Sequence, residues 1–464
     1  MSRLVVVSNR VDLPPGDTAP GGLAISLAAT IRHTNSLWIG WSGQVGALSD
    51  VPRRHNQNGI EYAVVELSID DYQHYYLGFC NRVLWPLSHG QLPAPDAEGG
   101  AWYRAYRRVN FRMANQIKGS LKHDDVLWVH DYHLLPLGHF LRQAGCRNPI
   151  GHFLHVPFPA LADGPVSREL LGNLLAYDLL GFQTPNDLAA FEAVARRHWG
   201  EHAVTPAGVA NGQGGLTATG VFPLGVDIDY LRRTASATMR EAALRWWSVG
   251  QPGQRVIGAD RLDISKALPQ RLRAYRQLLT NWPARPRPNY LQFITPSRLA
   301  LDAHRELQES IRREADLSNS SSDLRCVFAA VPHDELMGIL ASADVGLVTP
   351  RADGMNLLAK EFLAVQPEED PGVLVLSRGA GAAVELEAAI LVPADDQNSQ
   401  AEGLRLALEM PLTERRSRHQ SLLRALRRNE LPRWQQRFVG RLLQARRPGL
   451  AIRPGGGLCD ADLA

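Results

Sequence analysis

Cysteine is scarce in this chain. Cys80, Cys146, Cys326 and Cys459 are all that its 464 residues contain, and no two form a Cys-x-x-Cys pair. That spacing suggests neither a disulfide framework nor a zinc site, and it fits a reducing compartment. Long apolar runs are missing too. No stretch reaches the roughly eighteen residues of a membrane span, and MSRLVVVSNR at the N-terminus has too short an apolar core for a signal peptide. A cytoplasmic protein without a membrane partner is expected. Nor is there an excess of one charge, since 50 Lys and Arg stand against 47 Asp and Glu. The basic cluster near the end, Arg415-Arg416, Arg427-Arg428 and Arg446-Arg447, reads as solvated helix faces, so no nucleic-acid partner is expected. Metal-ligand clusters, a Gly-x-x-x-x-Gly-Lys-[Ser/Thr] loop and a Gly-x-Gly-x-x-Gly after the first strand are all absent. The chain therefore offers no site for a metal or for a phosphate-loop nucleotide, and no cofactor is expected.

What the chain does have is alternation. Apolar runs of four to seven residues recur between longer amphipathic segments, the pattern of parallel strands covered by helices. LVVVS, LWIGW, DVLWVH, IGHFLH and DLLGFQ are the strand candidates of the first half; RVIGAD, YLQFIT, RCVFAA, DVGLVT and GVLVLS are those of the second. Helices are expected at 22–31, 134–143 and 186–197. Between the halves, the Gly-rich stretch Pro206 to Gly220 reads as a surface hairpin. A chain of this length exceeds one ordinary core. The economical fold is α/β, with two doubly wound, Rossmann-like parallel-sheet domains facing across a cleft and meeting near residue 225.

In such sheets ligands bind beyond the carboxyl ends of the strands, at helix N-termini. LVVVS leads to Asn9-Arg10 and then to Pro20-Gly21-Gly22, whose glycines let backbone N–H groups approach a phosphate. DVLWVH leads to Asp131, which suits either a helix cap or a ligand contact. IGHFLH leaves His155 at a strand tip beside a proline-stiffened loop, near Asp131 on the expected neighbouring strand. RVIGAD leads to Arg261 and Lys266, and YLQFIT to Arg298. Cations on successive strand ends, next to a helix N-terminus, suit a diphosphate. From residues alone this is a two-domain cleft protein that binds a phosphorylated ligand with side-chain cations. One residue resists a simple reading: in the segment Leu357 to Gln366, Glu361 falls in the sector formed by Leu357, Leu358, Phe362 and Val365. A carboxylate on that face needs a partner.

From Met1 to about Arg447 the chain resembles the retaining trehalose-6-phosphate synthases, glucosyltransferases of the GT-B fold. LVVVSNR with PGGLA, LWIGWSG, YY with LWP, LWVHDYHLLP, GHFLHVPFP, YDLLGFQT, RLDISK, DVGLVTP, DGMNLLAKE and PGVLVLS carry the resemblance in order. It implies transfer of glucose from UDP-glucose to glucose 6-phosphate, giving α,α-trehalose 6-phosphate and UDP. Residues 1–225 would form the acceptor-side domain and 226–430 the nucleotide-sugar domain. Residues 431–447 would be a helix packing back on the N-terminal domain, and 448–464 a mobile tail. A homo-oligomer stays open.

By motif, Arg10, Tyr76, Trp85, Asp131 and Arg298 would hold glucose 6-phosphate, with Arg10 and Arg298 on its phosphate. The donor would meet Gly22, Arg261 and Lys266 at its diphosphate. Asp353 and the amides of Gly354, Met355 and Asn356 would hold its sugar, and the stretch Leu357, Leu358, Ala359, Lys360 and Glu361 the rest, with Glu361 on the ribose. His155 would lie beside the transferred glucose; Asp131, His155, Arg261 and Lys266 form the implied catalytic set. The chain departs from the family after LWP (Leu87 to Gly90), after VPFP (residues 160–171), at Ala267 in place of a glycine, and in AAVPHDEL (Ala329 to Leu336), where a base-contacting aromatic is usual. Two other readings follow: a relative with another acceptor such as glycerol 3-phosphate, and a non-catalytic sugar-phosphate-binding regulator.

Overall fold

The computed structural model describes residues 2–11, 27, 28, 31, 36–57, 59–96, 100–159, 161, 164–210, 215–247, 253–282, 286–297, 301–318 and 323–445. Gly22, Arg298, most of the expected helix 22–31 and the tail 448–464 lie outside the described residues.

The first sheet is built from β1 (Leu4–Arg10), β2 (Ser36–Val45), β3 (Arg53–Gln57), β4 (Ile60–Leu67), β5 (Val126–His130), β6 (Ile150–Phe153), β7 (Leu179–Phe182), β8 (Val204–Thr205), β9 (Gly208–Ala210) and β10 (Leu216–Val221). Its order is β3-β4-β2-β1-β5-β6-β7-β10-β9-β8. The strands from β4 to β10 run parallel. β3 and the β8-β9 ribbon are added antiparallel at the two edges. The second sheet takes β11 (Arg255–Arg261), β12 (Asn289–Thr295), β13 (Leu324–Val327), β14 (Val345–Val348), β15 (Val373–Ser377) and β16 (Ile390–Val392) in the order β13-β12-β11-β14-β15-β16, all parallel. That is the Rossmann order, whose crevice opens where the chain reverses direction between β11 and β14. The first sheet reverses between β1 and β5.

Burial on both faces explains the apolar runs. Along β1 and β5, Val5, Val7, Leu127 and Val129 enter one core, and Leu4, Val6, Val126 and Trp128 the other. The same period of two places Val345 and Leu347 on one side of the second sheet and Val348 on the other. The last described helix, Leu431–Ala445, projects Trp434, Phe438 and Leu442 as a single stripe at i, i+4, i+8. The stripe covers the first sheet: Trp434 stands 4.5 Å and Phe438 4.8 Å from the Trp128 ring.

Local chemistry sets the helix starts. Thr184 and Asp187 form a reciprocal capping box, so that helix runs from Pro185 to Trp199. Pro136 delays the next expected helix to Leu137–Gln143, behind a 3₁₀ turn at Tyr132–Leu134. Tyr72–Leu84 winds as a π-helix, with the Trp85 N–H reaching back five residues to the Cys80 carbonyl. Such winding is rare and clusters at functional sites.

Candidate functional site

On the first sheet, Arg10 ends β1 opposite Trp41 in register. Its guanidinium packs over Gly43, where any Cβ would collide with it. Tyr76, on the π-helix, stacks between Tyr72 (5.7 Å) and His133 (6.1 Å) and meets the Trp41 edge at 5.3 Å. Beside this aromatic wall is Asp131, just past β5, at φ 75° and ψ 170°. That backbone region is almost confined to glycine and costs an L-residue about 1–3 kcal/mol. Burial pushes the Asp131 carboxyl up to about 6, against the N–H groups of Tyr132, His155 and Val156 and the charge of Arg261, which favour the carboxylate. The His155 N–H donates to Asp131 Oδ1 at 3.2 Å. The His155 ring lies 2.9 Å from His130, Nε2 to Nδ1. Burial holds His155 down at about 3 and His130 well below the usual histidine range, so both are neutral near pH 7.

On the second sheet, Arg261 ends β11 and Lys266 closes a 3₁₀ turn, Ile264–Lys266, before the helix Leu268–Thr280. Lys266 Nζ pairs with Asp353, which follows β14 across the crevice. Burial alone would raise the Asp353 carboxyl, but the Lys266 ammonium outweighs it and holds the group below the usual carboxylate range. Asn356 joins the pair. Its Nδ2 donates to Asp353 at 2.9 Å while its Oδ1 caps the helix Leu357–Val365 at the Ala359 N–H. The N–H groups of Leu357 and Leu358 are in the turn without intrahelical acceptors. Glu361 is buried one turn in, and its Oε1 is 3.4 Å from His333 Nε2. The partner is a histidine from the segment Ala329 to Leu336, not an Arg or Lys. Lys360 points elsewhere: its Nζ donates to the Leu224 carbonyl at 2.8 Å and pairs with Glu385. Of that residue, only the backbone is left to face a donor.

The two halves meet through these residues. Trp85 Nε1 donates to Asp263 Oδ1 at 3.3 Å, and Arg261 lies 5.3 Å over the Trp85 ring. Gly354 sits so close under the His155 carbonyl that any Cβ there would overlap it. Among the described residues, the non-glycine residues with positive φ are Asp131, Ala267 and Asn356. All three follow strands at the switch points, β5, β11 and β14. Such outliers persist where surrounding structure fixes them, and they gather at ligand sites. Sequence reasoning missed three supports. Arg271, fully buried, joins Asp260, Gln292 and Thr349 and holds the Lys266 carbonyl at 3.3 Å. His89 lies tilted against the Trp85 ring at 4.1 Å, and its Nδ1 bonds the Trp85 carbonyl. His333 is the third. Among the described residues no cluster of His, Cys, Asp or Glu could hold a metal ion, and no helix is long and apolar enough to cross a membrane.

Two Rossmann-like domains have their switch points opposed across one cleft, one rich in cations and the other in aromatics and a strained carboxylate, which is the architecture of the GT-B class. The family model described as Glycosyltransferase family 20 matches residues 13–444, and the chain belongs to that family. A trehalose-6-phosphate synthase of Enterobacter sp. (strain 638) is 39% identical over 453 residues, covering 95% of this chain and 94% of the relative. The crystal structure of an α,α-trehalose-phosphate synthase (UDP-forming) from Burkholderia xenovorans, in complex with glucose-6-phosphate, superposes with a TM-score of 0.89 at 36% identity. It covers 95% of this chain and 100% of that one. A structure from E. coli bound with UDP-2-fluoro glucose gives a TM-score of 0.86 at 36% identity, covering 96% and 99%.

Proposed function

We propose that this chain transfers glucose from UDP-glucose to glucose 6-phosphate with retention, releasing UDP and α,α-trehalose 6-phosphate. The observation that carries the reading is the opposition of Lys266, Arg261 and Asp353 to Asp131, Tyr76 and Arg10 across a joint closed by Trp85 and Asp263. One half suits a sugar nucleotide and the other a sugar phosphate, which a binder of a single sugar phosphate does not need.

In the reaction the bond from glucose C1 to the UDP oxygen breaks, and the acceptor O1 bonds to C1 on the same face. The acceptor proton passes to the departing phosphate oxygen. Negative charge grows on that diphosphate, where Arg261, Lys266 and the N–H groups at the start of the Leu357–Val365 helix compensate it. These groups supply the charge compensation that a divalent cation supplies in other transferases. Lys266 then has to leave Asp353 at least in part, freeing that carboxylate for donor-sugar hydroxyls. Asp131 accepts from acceptor hydroxyls and orients them, Tyr76 packs the acceptor ring, and Arg10 meets its phosphate. Glu361 accepts from the ribose hydroxyls, with His333 behind it. Cys80, Cys146 and Cys326 are free thiols, which supports a reducing cytoplasm as the place of action.

The test is UDP release by the pure protein with UDP-glucose and either glucose 6-phosphate or glycerol 3-phosphate. Turnover with glucose 6-phosphate is expected. Turnover with glycerol 3-phosphate alone, or binding without turnover, would overturn the reading.

A further inference from the structure

The turn that carries Asp131 is gripped one carbonyl at a time. The Asp131 carbonyl lies 3.1 Å from His152 Nε2. The Tyr132 carbonyl accepts from Tyr106 Oη at 2.7 Å, the His133 carbonyl from Asn110 Nδ2 at 3.1 Å, and the Leu134 carbonyl from Tyr177 Oη at 2.7 Å. All four side chains are 2% exposed or less. They come from three elements: Tyr106 and Asn110 from the helix Ala101–Lys118, His152 from β6, and Tyr177 from the turn before β7. Four consecutive main-chain acceptors are each matched to a buried side-chain donor. What they fix is the peptide plane after a residue whose φ and ψ an aspartate does not adopt unaided.

His152 is the member that acts on Asp131 itself. Asp131 is tied on its amide side by the ladder bond from its N–H to the Phe153 carbonyl, 2.8 Å. On its carbonyl side the Leu134 N–H, at 3.2 Å, and His152 share one oxygen. Rotation of that peptide would swing the Asp131 side chain away from the His155 N–H that donates to it. Burial keeps His152 at about 4, below the usual histidine range, so near neutral pH the ring carries one proton. A carbonyl partner requires that proton on Nε2.

We propose that His152 is a positioning residue for the transfer reaction, donating Nε2–H to the Asp131 carbonyl and so holding the Asp131 carboxylate at the acceptor side of the cleft. The inference rests on the function proposed above. It predicts a defect confined to the acceptor. His152→Phe keeps an aromatic ring and removes the donor, whereas His152→Gln can place an amide N–H near the position of Nε2. For His152→Phe, KM for glucose 6-phosphate should rise and kcat fall, each by about tenfold, because small misplacements of an orienting group carry large kinetic costs. KM for UDP-glucose and the Kd of UDP should stay within twofold. His152→Gln should recover most of both losses. Acceptor constants like those of the wild type in His152→Phe would overturn the proposal. So would equal damage to donor and acceptor constants that His152→Gln leaves unrescued, because that marks general loosening of the fold. If instead the wild-type protein shows no transfer to glucose 6-phosphate, the function fails and not the positioning role alone. Binding of glucose 6-phosphate by calorimetry then still separates the two variants, equal affinities overturning the positioning role too.

Discussion

Lys266→Met separates what the Lys266–Asp353 pair does for the fold from what it does for catalysis. The substitution keeps most of the unbranched side chain and removes its charge, leaving Asp353 with the Asn356 amide and more distant cations. Breaking a fully buried pair costs about 3–5 kcal/mol, whereas an exposed pair is worth about 0–1 kcal/mol. Here the two side chains are 11% and 19% exposed, inside a cleft. A loss of about 2 kcal/mol in unfolding free energy is the expectation between those limits. The catalytic loss is larger. Removing one preorganised charge partner of a developing anion costs about 2.7–4 kcal/mol, or about 10²–10³ in kcat. Adding Asp353→Asn to Lys266→Met removes the stranded carboxylate and should restore stability to within about 1 kcal/mol, but turnover should stay low. Urea unfolding and UDP release at saturating UDP-glucose measure the two effects. Turnover within fivefold of wild type in Lys266→Met, or recovery of turnover in the double variant, would refute the diphosphate role. The pH dependence has a definite sign. Because the folded Asp353 carboxyl lies below its unfolded value, its stabilisation is complete above about pH 4 and is lost as pH falls through the lower folded value. Lys266→Met leaves burial as the larger influence on that carboxyl, so this acid loss should shrink or disappear in the variant.

Other outcomes follow from the same geometry. With Asp131 titrating at about 6, kcat/KM for glucose 6-phosphate should rise through that pH as the carboxylate forms. The folded form holds that proton more tightly than the unfolded one, so Asp131→Asn should gain about 1–3 kcal/mol of stability at neutral pH while losing transfer; a destabilised variant would count against the buried charge. Glu361→Gln should weaken UDP-glucose binding about tenfold in calorimetry and leave glucose 6-phosphate binding unchanged; equal loss of both would remove the ribose role. An added Cβ at Gly181 would stand 2.6 Å from Phe438, so Gly181→Ala should cost about 1–3 kcal/mol by overpacking, read by urea unfolding, and an unchanged midpoint would contradict that packing. Turnover should persist unchanged after EDTA treatment, and a requirement for added Mg²⁺ would contradict the assignment of charge compensation to Arg261 and Lys266.

The parallel strands were legible in the sequence because both faces of β1, β5, β11 and β14 are buried, which forces continuous apolar runs. β3, RRHNQ, is an exposed antiparallel edge and gives no such signal. The π-helix was invisible for another reason: its i to i+5 bonding over Tyr72–Leu84 follows no repeat that a helical wheel set at 100° per residue detects. Glu361 was conspicuous as a carboxylate on an apolar face, but its histidine partner is 28 residues away in sequence and on another helix. Lys360, its neighbour, shows the opposite limit. A motif puts the residue beside a ligand site, and only the fold shows its ammonium at the Leu224 carbonyl and Glu385. Of the four donors beneath Asp131 to Leu134, Tyr106 and Asn110 share a helical spacing, and His152 and Tyr177 come from distant parts of the sequence.

The helix Leu431–Ala445 has a consequence for how the protein is made. The face of the first sheet that Trp434, Phe438 and Leu442 cover belongs to strands translated far earlier, with the whole second sheet synthesised in between. At about 5–20 residues per second, the apolar surface around Trp128 and Phe153 waits tens of seconds on the ribosome before its lid exists. The first domain is therefore born unfinished, and the helix Leu431–Ala445 completes it late in synthesis. Nascent chains stalled short of residue 431 should hold chaperones longer than full-length ones do.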